Sequence, residues 1–207
     1  MSIATDIKQA LESMGKKPSR RLGQNFLIEP AIYKIMAETA VADPALPVLE
    51  IGPGLGTLTD YLLAGNARVI ALEKDLELVE FLTKKFKNKN VEVVPGDVLR
   101  FKPENHGLKA GGYSVAGNIP YYITGRLLRI ILQQWPAPTS ITLMVQDEVA
   151  EKITATPPDM NMMAVLVQWY AEVRVVKRVG AGSFYPRPDV NSAIIRLKPH
   201  PQLSDPA

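Results

Sequence analysis

Five short runs, at 48–51, 68–72, 91–94, 113–116 and 141–145, alternate with longer stretches of helical periodicity. Most are β-branched, apolar on both faces and bounded by Gly, Pro or Asp, as strands buried between two helical layers must be. That alternation predicts an α/β fold built on a mainly parallel sheet. Helices are predicted over 57–64, 75–87 and 123–134, and an earlier one over 29–40 carries Pro30 in its first turn. After residue 145 come helices over 147–154 and 161–171, broken between them by Pro157 and Pro158, then strands over 172–179 and 192–197. The strands then total seven. A loop stiffened by Pro186 and Pro188 carries Phe184 and Tyr185 between the last two.

Composition narrows the chemistry. With 207 residues, 46% hydrophobic and 22% charged, the chain matches one globular domain with a small appendage. Apolar runs such as 141–145 are far too short to cross a bilayer. The amphipathic start (Ile3, Ile7, Leu11) has no unbroken apolar signal core, so the cytoplasm is the expected compartment and no membrane partner is expected. The absence of cysteine removes disulfides, thiolate metal sites and cysteine nucleophiles together. The two histidines, His106 and His200, make metal sites and Ser-His-Asp relays poor readings, and His106 reads as a surface group. The net charge of +3 is modest, but Lys16, Lys17, Arg20 and Arg21 cluster, as do Lys84, Lys85, Lys87 and Lys89. The first cluster suits phosphate contact and a solvated face equally. The second reads better as the basic end of a helix.

The strongest local signal is LEIGPGLGTLT at 49–59, where an apolar strand enters a glycine turn and Thr57 opens a helix. Glycines let a ligand approach the backbone, and a helix N-terminus offers free N–H groups to an anion. Glu73 closes the next strand, 21 residues after Gly52, where a carboxylate can accept both hydroxyl protons of a ribose. Asp97 follows the third strand and can accept from an exocyclic amine such as that of adenine. GPGLG lacks the Gly-x-Gly-x-x-Gly step of dinucleotide sites, and there is no lysine-bearing phosphate loop. An adenosyl ligand with a single carboxylate fits this set better than one with a pyrophosphate.

The fourth strand ends in GNIPYYIT at 117–124. A purine amine is a weak nucleophile because its lone pair is delocalised into the ring. The Asn118 side-chain oxygen and the Ile119 carbonyl can both accept from that amine and favour a tetrahedral nitrogen. Pro120 fixes the backbone, and Tyr121 offers a ring face on which a base can stack. Phe184 either sandwiches an extruded base or anchors a core. Gln24 and Asn25 in GQNFL at 23–27 can cover a bound ligand by hydrogen bonding or cap a turn, and residue chemistry alone favours the cap.

These motifs, with GDVL at 96–99 and FYPRPDVNSAIIRL at 184–197, resemble the ribosomal RNA adenine dimethyltransferase family of the KsgA/RsmA type. The resemblance runs over residues 20–198 in the family's order. It implies a Rossmann-like class I methyltransferase fold, with helices on both faces of a seven-stranded sheet whose last strand is antiparallel. It also implies transfer of methyl groups from S-adenosylmethionine to N6 of two adjacent adenosines near the 3′ end of small-subunit rRNA. On that resemblance Asn25 and Leu27 touch the cofactor, Gly52 and Gly54 lie beneath its methionine part, Glu73 holds the ribose, and Asp97 with Val98 holds the adenine. Asn118 faces both cofactor and target; Tyr121 and Phe184 stack on the flipped base. The family commonly has Asn where this chain has Tyr122.

Residues 1–28 are expected to form a cofactor- and RNA-contacting segment, 29–198 the methyltransferase domain, and 199–207 a tail or linker toward the family's small helical C-terminal domain. The expected partner is the small ribosomal subunit with its rRNA, met by a monomer. A large-subunit enzyme of the macrolide-resistance type is the alternative, although such enzymes tend to carry Lys and His in the glycine turn. A non-catalytic ribosome assembly factor is a third reading, and a dehydrogenase a distant fourth.

Overall fold

The computed structural model describes residues 2–19, 23–41, 43–65 and 67–201. Arg20 and Arg21, read equally as phosphate contacts and as part of a solvated face, and the tail from residue 202 onward lie outside the described residues. In chain order the elements are α1 (Ile3–Ser13), β1 (Phe26–Leu27), α2 (Pro30–Ala40), β2 (Val48–Ile51), α3 (Thr57–Ala64), β3 (Val69–Glu73), α4 (Leu76–Lys85) and β4 (Val91–Pro95). Then come β5 (Ser114–Asn118), α5 (Thr124–Gln133), β6 (Ser140–Gln146), α6 (Asp147–Thr154), α7 (Met162–Tyr170), β7 (Ala171–Val179), β8 (Phe184–Tyr185) and β9 (Ser192–Pro199).

Seven strands form one sheet in the order β4-β3-β2-β5-β6-β9-β7. The first five are parallel, and β9 inserts between β6 and β7 antiparallel to both. Alternation along each strand then separates two apolar layers. Leu49, Ile51, Ile70, Leu72 and Val115 face α5, α6 and α7, which contribute Leu127, Ile131, Ile153 and Val167. Val48, Val69, Ala71 and Ala116 face α2 and α3, which contribute Met36, Leu58 and Leu62. Helices therefore cover both faces, and a charge on a central strand is largely cut off from water. β4 is an edge strand whose Glu92 is exposed and meets Arg68 at 3.2 Å.

Two features go beyond the strand–helix pattern. The amphipathic start is a full helix, capped by the Ser2 hydroxyl accepting from the Thr5 N–H, and its Ile7 and Leu11 pack against Leu55 and Leu78. The Phe184–Tyr185 loop is a short strand paired antiparallel with β1, with Leu27 opposite Phe184. The last strand also runs past 197 to Pro199, and the His200 N–H donates to the Tyr170 carbonyl at 2.9 Å.

The basic clusters are partly consumed inside the fold. Lys16 bridges Asp75 at 2.6 Å and Glu77 at 2.8 Å, tying the end of α1 to the start of α4. Asp75 caps α4 by accepting from the Glu77 and Leu78 N–H groups. Partial burial works against its charge, but Lys16 outweighs that and holds its carboxyl below the usual range. Lys84 and Lys85 end α4 as a helix dipole favours, and Lys85 also donates to the Leu55 carbonyl at 2.9 Å and pairs with Asp60 at 2.7 Å.

Candidate active site

The order of the parallel strands reverses between β2 and β5, and in open α/β sheets ligands bind at the carboxyl edge of such a point. A cavity opens there, bounded by the glycine turn after β2, the ends of β3 and β5, the Gly96–Leu99 turn and the segment at 23–26. The glycine turn is tight for a steric reason. Gly56 caps α3 with φ +74°, and a Cβ there would lie 2.5 Å from the Phe86 ring. Thr57 and Leu58, in the first turn of α3, face the cavity beside Gly52 and Gly54.

Glu73 joins β3 to that turn. Its Oε2 accepts from the Gly54 N–H at 3.1 Å, and its Oε1 from the Lys74 and Asp75 N–H groups at 2.8 and 2.9 Å. Burial pushes its carboxyl upward from the ordinary range, and the three N–H donors hold that rise back. It lines the cavity as an orientated acceptor. Asp97 also lines it: one oxygen accepts from the Leu99 N–H at 3.0 Å, and the other meets Lys74 Nζ at 2.8 Å. Lys74 keeps this carboxyl below its usual value. Val98 lies beside it in the cavity wall, largely buried.

At the end of β5, Asn118 Nδ2 donates to the Asn25 carbonyl at 3.0 Å. With its nitrogen so engaged, the amide leaves Oδ1 as an acceptor. The segment carrying Asn25 reaches this point by close approach: a Cβ on Gly23 would lie 2.9 Å from that of Pro120. Ile119, Pro120 and Tyr121 all contribute to the cavity wall. Tyr121 is half-buried, and its hydroxyl lies 2.6 Å from Ser192 Oγ. Tyr122 stands at the mouth and is 68% exposed.

Asn25, Gly52, Gly54, Glu73, Asp97, Val98, Asn118, Ile119, Pro120 and Tyr121 are thus brought together. Two expected contacts are placed elsewhere. Leu27 is fully buried and Phe184 is 3% exposed; both sit in the apolar layer with Met36 and Ile194 and neither lines the cavity. The pairing of β1 with β8 explains this, because it turns both side chains onto α2 rather than onto the ligand space. Of the two roles open to Phe184, the structure displays the core anchor. Gln24 caps its turn as its chemistry suggested, accepting from the Ser19 N–H at 2.8 Å, though it also reaches the cavity wall.

Three groups at the site were not singled out. Tyr33 lines the cavity and donates its hydroxyl to the Leu27 carbonyl at 2.8 Å. Lys74 and Glu50 also line it. Glu50 is 1% exposed, accepts from the Thr59 hydroxyl at 2.6 Å, and burial pushes its carboxyl up to about 8. The available signal was a lone acid inside the apolar strand VLEI. Among the described residues no group of His, Asp and Glu is placed to hold a metal ion, and no helix is long and apolar enough to cross a membrane.

The architecture matches known methyltransferases. The 23S rRNA methyltransferase ErmE superposes with a TM-score of 0.77 and 34% identity, over 88% of this chain and 73% of its own. A dimethyladenosine transferase from Plasmodium falciparum gives a TM-score of 0.74 and 28% identity, over 86% of this chain and 64% of its own. The ribosomal RNA small subunit methyltransferase A of Dehalococcoides mccartyi (strain CBDB1) is 38% identical over 197 residues, which are 95% of this chain and 68% of that protein. The family model for ribosomal RNA adenine dimethylase matches residues 15–207. With that match running through the glycine turn, Glu73, Asn118 and β9, the chain belongs to the ribosomal RNA adenine dimethylase family.

Proposed function

We propose that the protein transfers methyl groups from S-adenosylmethionine to N6 of adenines in small-subunit rRNA, dimethylating two adjacent adenosines near the 3′ end during ribosome biogenesis. The observation that carries this reading is the Asn118 amide. Its nitrogen is tied to the Asn25 carbonyl, so its oxygen is the free acceptor at the end of β5.

The cavity fits the cofactor chemically. Glu73 retains one acceptor position, on Oε2, for a ribose hydroxyl, and Asp97 can accept from the adenine amine when Lys74 yields one oxygen. Gly52 and Gly54 offer a bare backbone at the methionine end. S-adenosylmethionine supplies an electrophilic methyl group on a sulfonium. The protein's part is alignment and polarisation. Asn118 Oδ1 and the Ile119 carbonyl accept the two protons of the target amine, which favours a tetrahedral nitrogen with its lone pair available. Tyr121 offers the ring on which the extruded base rests. As the nitrogen–methyl bond forms the sulfur–methyl bond would break, leaving the neutral thioether S-adenosylhomocysteine; the nitrogen, made cationic, then gives its proton to water, so no strong base is needed.

The partner is the small ribosomal subunit in the cytoplasm, met by a monomer. A large-subunit substrate is the second reading, favoured by the likeness to ErmE. Labelled methyl transfer to undermethylated small subunits, large subunits and free rRNA separates the two. The expected result is N6,N6-dimethyladenosine in the small subunit, with Asn118→Ala at least about a hundredfold slower. Label confined to the large subunit overturns the proposal.

A further inference from the structure

The antiparallel strand β9 has a consequence at the reaction edge. Parallel strands deliver their last residues to that edge, but an antiparallel one delivers its first. Ser192, the first residue of β9, is paired with Gln146 at the end of β6 and with Val179 at the end of β7. Its side chain is fully buried, and its Oγ lies 2.6 Å from the hydroxyl of Tyr121. Tyr121 in turn lines the cavity one residue beyond Pro120.

This hydrogen bond holds the far end of the ring. A tyrosine has two soft torsions, and χ1 decides where the far end of its ring lies. Anchoring the hydroxyl on an interior strand of the sheet fixes χ1 and the place of the ring's far end; the oxygen lies on the χ2 axis, so rotation is biased only by the preference of the phenol O–H for the ring plane. The anchor also gives a physical reason for tyrosine rather than phenylalanine at a position whose proposed task is stacking. A phenol that merely stacked would leave its hydroxyl idle.

Resting on the function proposed above, we infer that Ser192 is a positioning residue for the target base: its hydroxyl holds the far end of the Tyr121 ring at the cavity wall, where the ring meets the extruded adenine. Ser192 does not line the cavity, so it acts only through Tyr121.

The test is a double-mutant cycle. Ser192→Ala, Tyr121→Phe and the double variant are compared by labelled methyl transfer to small subunits, with kcat and KM for RNA resolved. Quenching of a 2-aminopurine placed at the target position of an RNA oligonucleotide reports stacking without turnover. Each single variant is expected to weaken stacking and to reduce kcat/KM for RNA by about three- to tenfold, the worth of one net hydrogen bond. The double variant is expected to lose no more than either single one. The KM for S-adenosylmethionine stays unchanged in all three. Tyr121→Phe leaves β9 untouched, so it keeps the proposal testable if Ser192→Ala folds poorly. Full stacking and full activity in Tyr121→Phe, or losses that multiply in the double variant, overturn the proposal. Failure of the unmutated protein to label small subunits is a separate outcome: it counts against the proposed substrate, and the quenching cycle still decides the role of Ser192.

Discussion

At Glu50 a carboxyl is held in a fully buried central strand, with the Thr59 hydroxyl as its hydrogen-bond donor at 2.6 Å. Burial raises it from 4.5 to about 8, so near neutrality the folded chain keeps a proton that the unfolded chain has lost. The sign follows from proton counting. Below about pH 4.5 both states are protonated and folding carries no penalty from this group. As pH rises toward 8 only the unfolded state ionises, so stability falls, by up to about 1.4 kcal/mol per pH unit. Above 8 both are ionised and the decline stops. Glu50→Gln keeps an acceptor for Thr59 and cannot ionise. Urea denaturation at pH 5.5 and 8.5 is expected to show the variant losing less stability than the parent across that window. Parallel losses in the two proteins count against a protonated Glu50. The strand was read as buried between two helical layers, and that reading gave its single acid no role. The structure places it 1% exposed at the inner wall of the cavity, with Thr59 of α3 as its partner.

The helix α1 shows how an element can serve the site without touching a ligand. Leu11 is 3% exposed and packs with Leu55 and Leu78; Leu55 is itself part of the cavity wall. Leu11→Ala is expected to cost about 2–4 kcal/mol in chemical denaturation, the range for removing a buried leucine side chain. It is also expected to weaken S-adenosylmethionine binding by calorimetry, since the wall behind the glycine turn loses its backing. Unchanged affinity with the full stability loss places α1 outside the site's support. The five parallel strands and their helices were legible because each carries a complete hydrophobic period bounded by breakers. Strands β1 and β8 were not, since two residues have no periodicity and their pairing joins segments about 160 residues apart. That pairing is what carries Leu27 and Phe184 into the core. Helix α1 has its apolar spacing at Ile3, Ile7 and Leu11, but only Leu55 and Leu78 make it a docked helix.

Across the whole molecule, the site is assembled from positions spread from Gly23 to Ile123. Asn25, Gly52, Glu73, Asp97 and Asn118 meet because four parallel strands end at one edge and the 23–28 segment closes over them. The carboxylates after successive strands were readable one by one, since strand ends coincide with breaks in hydrophobicity. The crossing contact from Asn25 to Asn118 was not, because nothing local specifies it. A ligand filling this space touches several elements that separate on unfolding, so binding is linked directly to global stability. Occupancy at a hundred times Kd adds about 2.7 kcal/mol. For a chain of this size that corresponds to a rise of about 5–10 °C in Tm. S-adenosylmethionine and S-adenosylhomocysteine are expected to give such a shift in a thermal melt, and NAD none, because the GPGLG turn lacks the pyrophosphate spacing. Glu73→Gln retains one carbonyl oxygen but loses the second charged acceptor, so its shift at equal ligand concentration is expected to be smaller. A parent-sized shift in Glu73→Gln counts against the ribose role of Glu73, and a shift with NAD as large as that with S-adenosylhomocysteine counts against an adenosyl-amino-acid cofactor altogether.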